Sequence, residues 1–435
     1  MASEWAAAAR LVRRTGFGAS GPEVDAAVKD GPARYVARVL AADPNADAGA
    51  RRTPPPTFTN VAKPDKNAGT DAKKQRRMAL RTQDQRLSAW WLQRMAAVGQ
   101  PFGERATFAW HGHFATSLKK VKVASLMLAQ NEQLRRLATG NFSTLAYTVL
   151  TDAATLRWLD GERNTVKGPN ENLSREFMEI FTLGHGGGYT ESDVRQGARA
   201  LTGWKIDKQD GSTTVRAMLH DDGAKTLFGK SSDFDARGFC DAVLARPGCA
   251  RYVVTRMWHQ FVSNDAPSAA VLDRLVAAYG PGHDLRAMFT AMFTDTSFAA
   301  AEGSFIVGPV EWFIGAIRAL DVPLAGDTQL KLVAGTLDSL GQLPFFPPSV
   351  GGWPSGRVWV STAAADLRFR AATMLAQRAE LPALTGSTTA KLESLAHLIG
   401  VDTWSAQTLA VLKGSAGQPR QLFAVALNTP EYLVH

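Results

Sequence analysis

Between residues 170 and 182 an amide, a guanidinium and two carboxylates recur at helical spacing. They are Asn172, Arg175, Glu176 and Glu179, in the run NENLSREFMEIFT. At about 100° per residue these four fall within an arc of roughly 100°, while Leu173, Phe177 and Ile180 form a separate apolar stripe. Such a helix has one face for packing and one face of polar groups. Two neighbouring carboxylates can act as acid and base when burial separates their pKa values. They can equally hold a divalent cation, with Asn172 adding a carbonyl oxygen, although Arg175 would already neutralise one of them. An ordinary ion-pair lattice on a solvated helix uses the same spacing, so a structural role stays open. Pro169 and Asn170 fit the start of this helix, with Asn170 as the cap and Glu171 favouring the positive end of the dipole.

Three other groups have chemical potential. His111 and His113 lie in WHGHF. On an extended segment alternate residues share a side and the pair can ligate one metal; on a helix they point about 200° apart and cannot. Phe108 and Trp110 predict a helix end here, with one histidine in the core and one exposed. His185 follows the motif helix in LGHGGG, where the glycines serve equally as a helix stop or as a close backbone approach to a ligand. His220, Asp221, Asp222 and Lys225 form a third group, able to reach over a pocket or to make a polar turn. Trp204 closes the next helix, and Trp353 sits in a rigid Pro/Gly loop, where an exposed indole would suit a sugar ring or a peptide. The chain has no GxSxG elbow, phosphate loop, HExxH helix, CxxCH motif or four-ligand Cys/His zinc pattern. Its two cysteines, Cys240 and Cys249, can be a bridge or two thiols.

The elements that must position these groups are mainly helical. Residues 1–42 read as three short helices, at 4–14, 21–30 and 32–41, the second opened by Ser20-Gly21-Pro22-Glu23. Residues 43–72 are rich in Pro, Asn, Asp and Ala and predict a long irregular loop. A central helical core over 73–204 includes helices at about 101–113, 122–138, 142–152, 170–183 and 190–203, the last with a capping-box start at Thr190 and Asp193. Residues 205–233 predict a small β-hairpin or irregular flap. A second helical region covers 234–342, with helices at 236–246, 250–263, 268–279, 283–297 and 307–320. A Pro/Gly/Trp loop follows over 343–361, then C-terminal helices over 362–435. The fold class is mainly α, a multi-helix globular bundle with a small β-hairpin or irregular insertion.

At 435 residues the chain is long enough for a large core. Its net charge of +9 comes from 49 basic and 40 acidic residues, too thinly spread to point to nucleic acid. No apolar run is long enough to span a bilayer. No apolar signal core follows Arg13-Arg14, so the reading is cytoplasmic, or exported if a leader was removed or a partner carries the protein.

Several segments together resemble a known bacterial family. They are LVRRTGFGAS, WHGHFATS, NENLSREFMEIFTLG, YTESDVRQGARALTGW, HDDGAKTLFG and FFPPSVGGWPSG. The combination resembles the domain-of-unknown-function family 1800 over almost the whole chain. His113 matches the family's WxxHF pattern; His111 departs from it. The resemblance implies no established activity. It implies proteins that are often exported and encoded beside a sulfatase- or phosphatase-like partner.

The residues favour an enzyme acting by hydrolysis or group transfer on a polar, carbohydrate-like or anionic small molecule. Glu176 would be the acid/base, Glu179 its tuner, Arg175 the holder of an anionic group, and His113 a second proton-transfer group. Asn170, Asn172, Trp204, His220, Lys225 and Trp353 would bind. The cofactor is unknown; a divalent metal on His111, His113 or His185 is the form the ligand types allow. The alternatives are a non-catalytic assembly protein pairing with an exported partner, and a metal or redox enzyme.

Overall fold

The computed structural model describes residues 3–65, 67, 69–301 and 303–435. Among them are twenty-four α-helices and two antiparallel two-stranded sheets, the mainly α architecture expected. Two clusters of buried apolar side chains carry it. One gathers the N-terminal helices, the motif region and the helices up to Phe298; the other gathers the Thr70–Ala97 helix and the C-terminal third.

The Phe102–His113 helix is the seam between the clusters. Ala106, Ala109 and Trp110 face the first and Phe108 faces the second. A helix that is apolar on both sides must be buried on both. Its one acid, Glu104, is 1% exposed and fully engaged. Arg94 Nε and Arg135 Nε donate to its Oε1 at 2.5 and 2.7 Å, and Trp91 Nε1 and Arg135 Nη2 donate to Oε2, both at 2.8 Å. Burial raises the carboxyl pKa, but Arg135 and Arg94 outweigh it and hold the group below the usual range.

Local sequence decides most boundaries. Thr190 Oγ1 accepts from Asp193 N at 3.1 Å and Asp193 Oδ2 accepts from Thr190 N at 2.9 Å, so the predicted capping box starts the Glu191–Ala200 helix. The same Asp193 accepts from Phe228 N at 2.7 Å and ties the insertion to the helix start. The insertion is two hairpins, Trp204–Ile206 with Thr213–Val215 and Lys225–Leu227 with Lys230–Ser232.

Other expectations need correction. The 43–72 loop contains a helical turn, Ala48–Arg52, capped by Asp47, and the long helix begins at Thr70; residues 66 and 68 lie outside the described residues. The expected helix over 283–297 is two, Leu285–Thr294 and Thr296–Ala300, because Asp295 leaves the helical conformation and caps the second through Ser297 N at 2.9 Å. A further helix, Asp327–Ser339, lies where none was assigned.

Candidate functional site

The motif helix is not one regular helix from 170 to 183. It is α-helical over Asn172–Glu176 and π-helical over Phe177–Thr182. Asn170 still serves the start, its Oδ1 accepting from Asn172 N at 3.0 Å, but Glu171 already has helical backbone angles. Asn170 is fixed in turn by Asn164, whose Oδ1 accepts from Asn170 N at 2.9 Å and whose Nδ2 donates to Ala198 O at 2.7 Å. The wide turn has local causes. Thr182 Oγ1 donates to Phe177 O at 2.6 Å, and Leu183 N donates to Met178 O at 2.8 Å, both five residues back. Two carbonyls released by the turn are taken by tertiary partners. His113 Nε2 donates to Phe181 O and Tyr252 Oη donates to Ile180 O, at 2.8 and 2.7 Å. Single π-turns within helices are frequent at functional sites.

The four predicted polar residues separate. Arg175 is spent at the surface: Nη1 and Nη2 donate to the two Glu191 oxygens at 2.8 Å, and Nη2 to Glu171 Oε2 at 2.9 Å. Glu179 Oε1 lies 2.5 Å from His185 Nδ1, and the Tyr189 hydroxyl hydrogen-bonds the same carboxylate. Partial burial, then this neighbour, push the Tyr189 pKa up to about 12. Glu176 is half-buried and, among the described residues, makes no hydrogen bond or ion pair. Burial first, then the Glu179 charge, raise its pKa, against weaker opposition from Arg175 and His185. Asn172 is half-buried beside them.

The histidines of WHGHF diverge as a helix requires, and both are buried, which corrects the expectation of one at the surface. His111 faces the second cluster, with its ring centroid 5.6 Å from Trp91 and 5.4 Å from both Phe345 and Trp353. His113 faces the first, against Phe114, Phe142, Phe181 and Tyr252. Burial pushes each down to about 3, with the Arg256 charge adding to the effect on His113. His111 Nε2 and His113 Nδ1 are enclosed without a partner.

Arg256 was not singled out from the sequence. It lies on the Pro247–Phe261 helix one turn after Tyr252, so the two share a face. Its guanidinium makes no hydrogen bond or ion pair among the described residues, and its Nε is enclosed. Its only sequence signal is a cation in the otherwise packing-rich run RYVVTRMWHQF. Gly184 has φ +80°, and a Cβ there would meet the Tyr252 ring at 2.8 Å, so the glycine lets the loop close over Tyr252.

The remaining candidates have partners within the fold. His220 Nδ1 donates to Thr202 O at 2.9 Å. Asp221 pairs with Arg199 at 2.6 Å and its backbone carbonyl accepts from Lys225 Nζ. Lys225 is buried, which lowers its pKa. HDDGAK thus stitches the flap to the end of the Glu191–Ala200 helix. Trp204 is half-buried and pairs with Val215. Trp353 stacks on Phe108 at 5.1 Å. Its neighbour must be a glycine: Gly352 has φ +85°, and a Cβ there would lie 2.1 Å from the Gly112 carbonyl. Cys240 and Cys249 are free and buried, and burial raises both thiols, Cys249 up to about 12. Among the described residues no group of three or more His, Cys, Asp or Glu is placed to hold a metal. No helix among them is long and apolar enough to cross a membrane.

A mainly α protein with a π-turn of carboxylates backed by a buried histidine and an unpaired arginine is the class these observations define. The chain belongs to the family described as protein of unknown function (DUF1800), whose model matches residues 10–434. No curated protein and no solved structure matches it.

Proposed function

We propose that the π-turn region is an acid/base centre for hydrolysis or group transfer on a polar, anionic small molecule. The observation that carries it is Glu176: a half-buried carboxyl with raised pKa, no partner, and a second carboxylate at Glu179 held by His185 and Tyr189. A carboxyl that stays protonated to higher pH is suited to donate a proton to a leaving group, and its ionised neighbour favours that state. Glu179 tunes it. His113 positions the turn through Phe181 O, and its enclosed Nδ1 does not reach the ligand. The anion-holding role first given to Arg175 falls better to Arg256, whose guanidinium is not consumed. Asn172 would add an amide on the same face. Asn170, Trp204, His220, Lys225 and Trp353 would shape the walls through the contacts above rather than touch the ligand.

The test is a panel of 4-nitrophenyl phosphate, sulfate, acetate and glycosides with the full chain. Glu176→Gln should lower turnover of the accepted class by roughly 100-fold or more while the Tm stays within a few degrees. Absence of turnover across the panel, or a Glu176→Gln rate equal to the wild type, defeats the reading.

A second reading is favoured by Arg175, whose donors are matched to Glu171 and Glu191. On it the polar face is a scaffold, and the protein assembles with an exported partner of the sulfatase- or phosphatase-like kind without catalysis. Co-purification of a stoichiometric partner, with wild-type and Glu176→Gln chains pulling it down equally, would support this reading over the first.

A further inference from the structure

A cleft of about 510 Å³ opens between the start of the chain and the C-terminal helices, lined by none of the residues above. Its walls carry two half-exposed indoles, Trp5 and Trp404. Both indole N–H groups are spent inside the protein. Trp5 Nε1 donates to Asp25 Oδ1 at 2.8 Å and Trp404 Nε1 to Leu392 O at 2.9 Å. What remains for a ligand is ring face and edge.

His397 lines the same cleft, its centroid 5.9 Å from Trp5, donating through Nε2 to Asp25 Oδ2 at 2.9 Å. Nε2 is taken by the carboxylate and Nδ1 lies against Gly21, so the ring adds a wall to the cleft, not a free acceptor. Gly21 makes this position available, because a Cβ there would come within 2.3 Å of the imidazole. Glu393 and Lys413 also border the cleft, and neither makes a hydrogen bond or ion pair among the described residues. The cleft therefore offers apolar faces, two acceptors in Glu393 and the unspent Oδ2 of Asp402, and one unspent cationic donor in Lys413. Its volume lies within the range of small-molecule sites, about 300–1,000 Å³.

We propose that this cleft binds a neutral saccharide of one or two pyranose rings. The axial C–H face of the sugar would rest on the indoles. Its hydroxyls would donate to Glu393 and Asp402 Oδ2 and accept from Lys413. A flat apolar ligand would leave all three polar groups idle, and an anionic sugar would face Glu393. Hydroxyls serve both charges, since each donates and accepts.

Saturation-transfer-difference NMR on the full chain tests this with glucose, galactose, N-acetylglucosamine and cellobiose, and with free tryptophan as the zwitterionic control. At least one sugar should give saturable transfer to its ring C–H protons, with Kd on the order of 1 mM. Trp404→Ala should weaken it roughly tenfold, the factor one lost stacking contact carries. Should Trp404→Ala lose its helical signal, Thr403→Arg decides instead: this exposed rim residue can fill the cleft without touching the core, and must abolish the transfer. Saturation by none of the four sugars overturns the proposal. So does saturation by tryptophan alone, or full binding in Thr403→Arg.

Discussion

Glu104 and Glu176 each precede or follow an arginine in the chain, and the fold uses them in opposite ways. Glu104 is sealed in the seam between the two cores, with each oxygen taking two donors. Glu176 is half-buried where the α-helix meets the π-turn, with neither oxygen taken by a protein donor. A carboxylate whose acceptors are all filled is mortar. One that is partly desolvated, with a raised pKa and no protein partner, keeps its oxygens open to solvent or a ligand. The same contrast separates Arg135, matched to Glu104, from Arg256, matched to nothing among the described residues.

The largest effect should come from emptying the seam. Glu104→Ala leaves Arg94 and Arg135 buried without an anion and should cost about 3–5 kcal/mol in denaturant unfolding. A loss under about 1 kcal/mol would erase the distinction between the two carboxylates. Gly352→Ala should come next, at about 3 kcal/mol, from a left-handed backbone and a collision with Gly112 O. If the variant melts like the wild type, the contact of the Trp353 loop with WHGHF is not rigid.

The buried histidines make a pH prediction. Each is held neutral, with a folded pKa of about 3 against about 6.5 unfolded. The unfolded chain binds more protons in that window, so stability is full above about pH 6.5 and falls as pH drops below it, by about 2–3 kcal/mol per histidine at pH 4.5. Asp152 acts with the opposite sign: burial raises it to about 6, so stability falls as pH rises through about 4 to 6. The histidine slope is therefore best read in an Asp152→Asn background, where His111→Phe should flatten it. An unchanged slope would mean that His111 is protonated in the fold. The smallest effect belongs to Arg175→Ala, within about 1 kcal/mol, because its ion pairs are solvated. A larger loss would place Arg175 with Arg135 among the mortar.

Much of this was legible in the chain. The helical class, the Thr190 capping box, the flap as a hairpin region and the proximity of Glu176 to Glu179 all follow from interactions within a few residues. So does the divergence of His111 and His113, which depends only on helical pitch. Sequence reasoning put Arg175 with the catalytic groups because spacing reports a shared face but not what sits opposite, which here is Glu191.

The chain thus carries its local grammar: periodicity, caps and turns, each set by short-range sterics and hydrogen bonding. Which polar groups were consumed depended on packing between distant segments. The π-turn holds because His113 and Tyr252 arrive from distant helices to take its carbonyls. Glu104 is mortar because Arg94 and Arg135 converge on it from two others. Burial and partner supply are properties of packing between segments far apart in the chain, and no residue's own neighbours specify them.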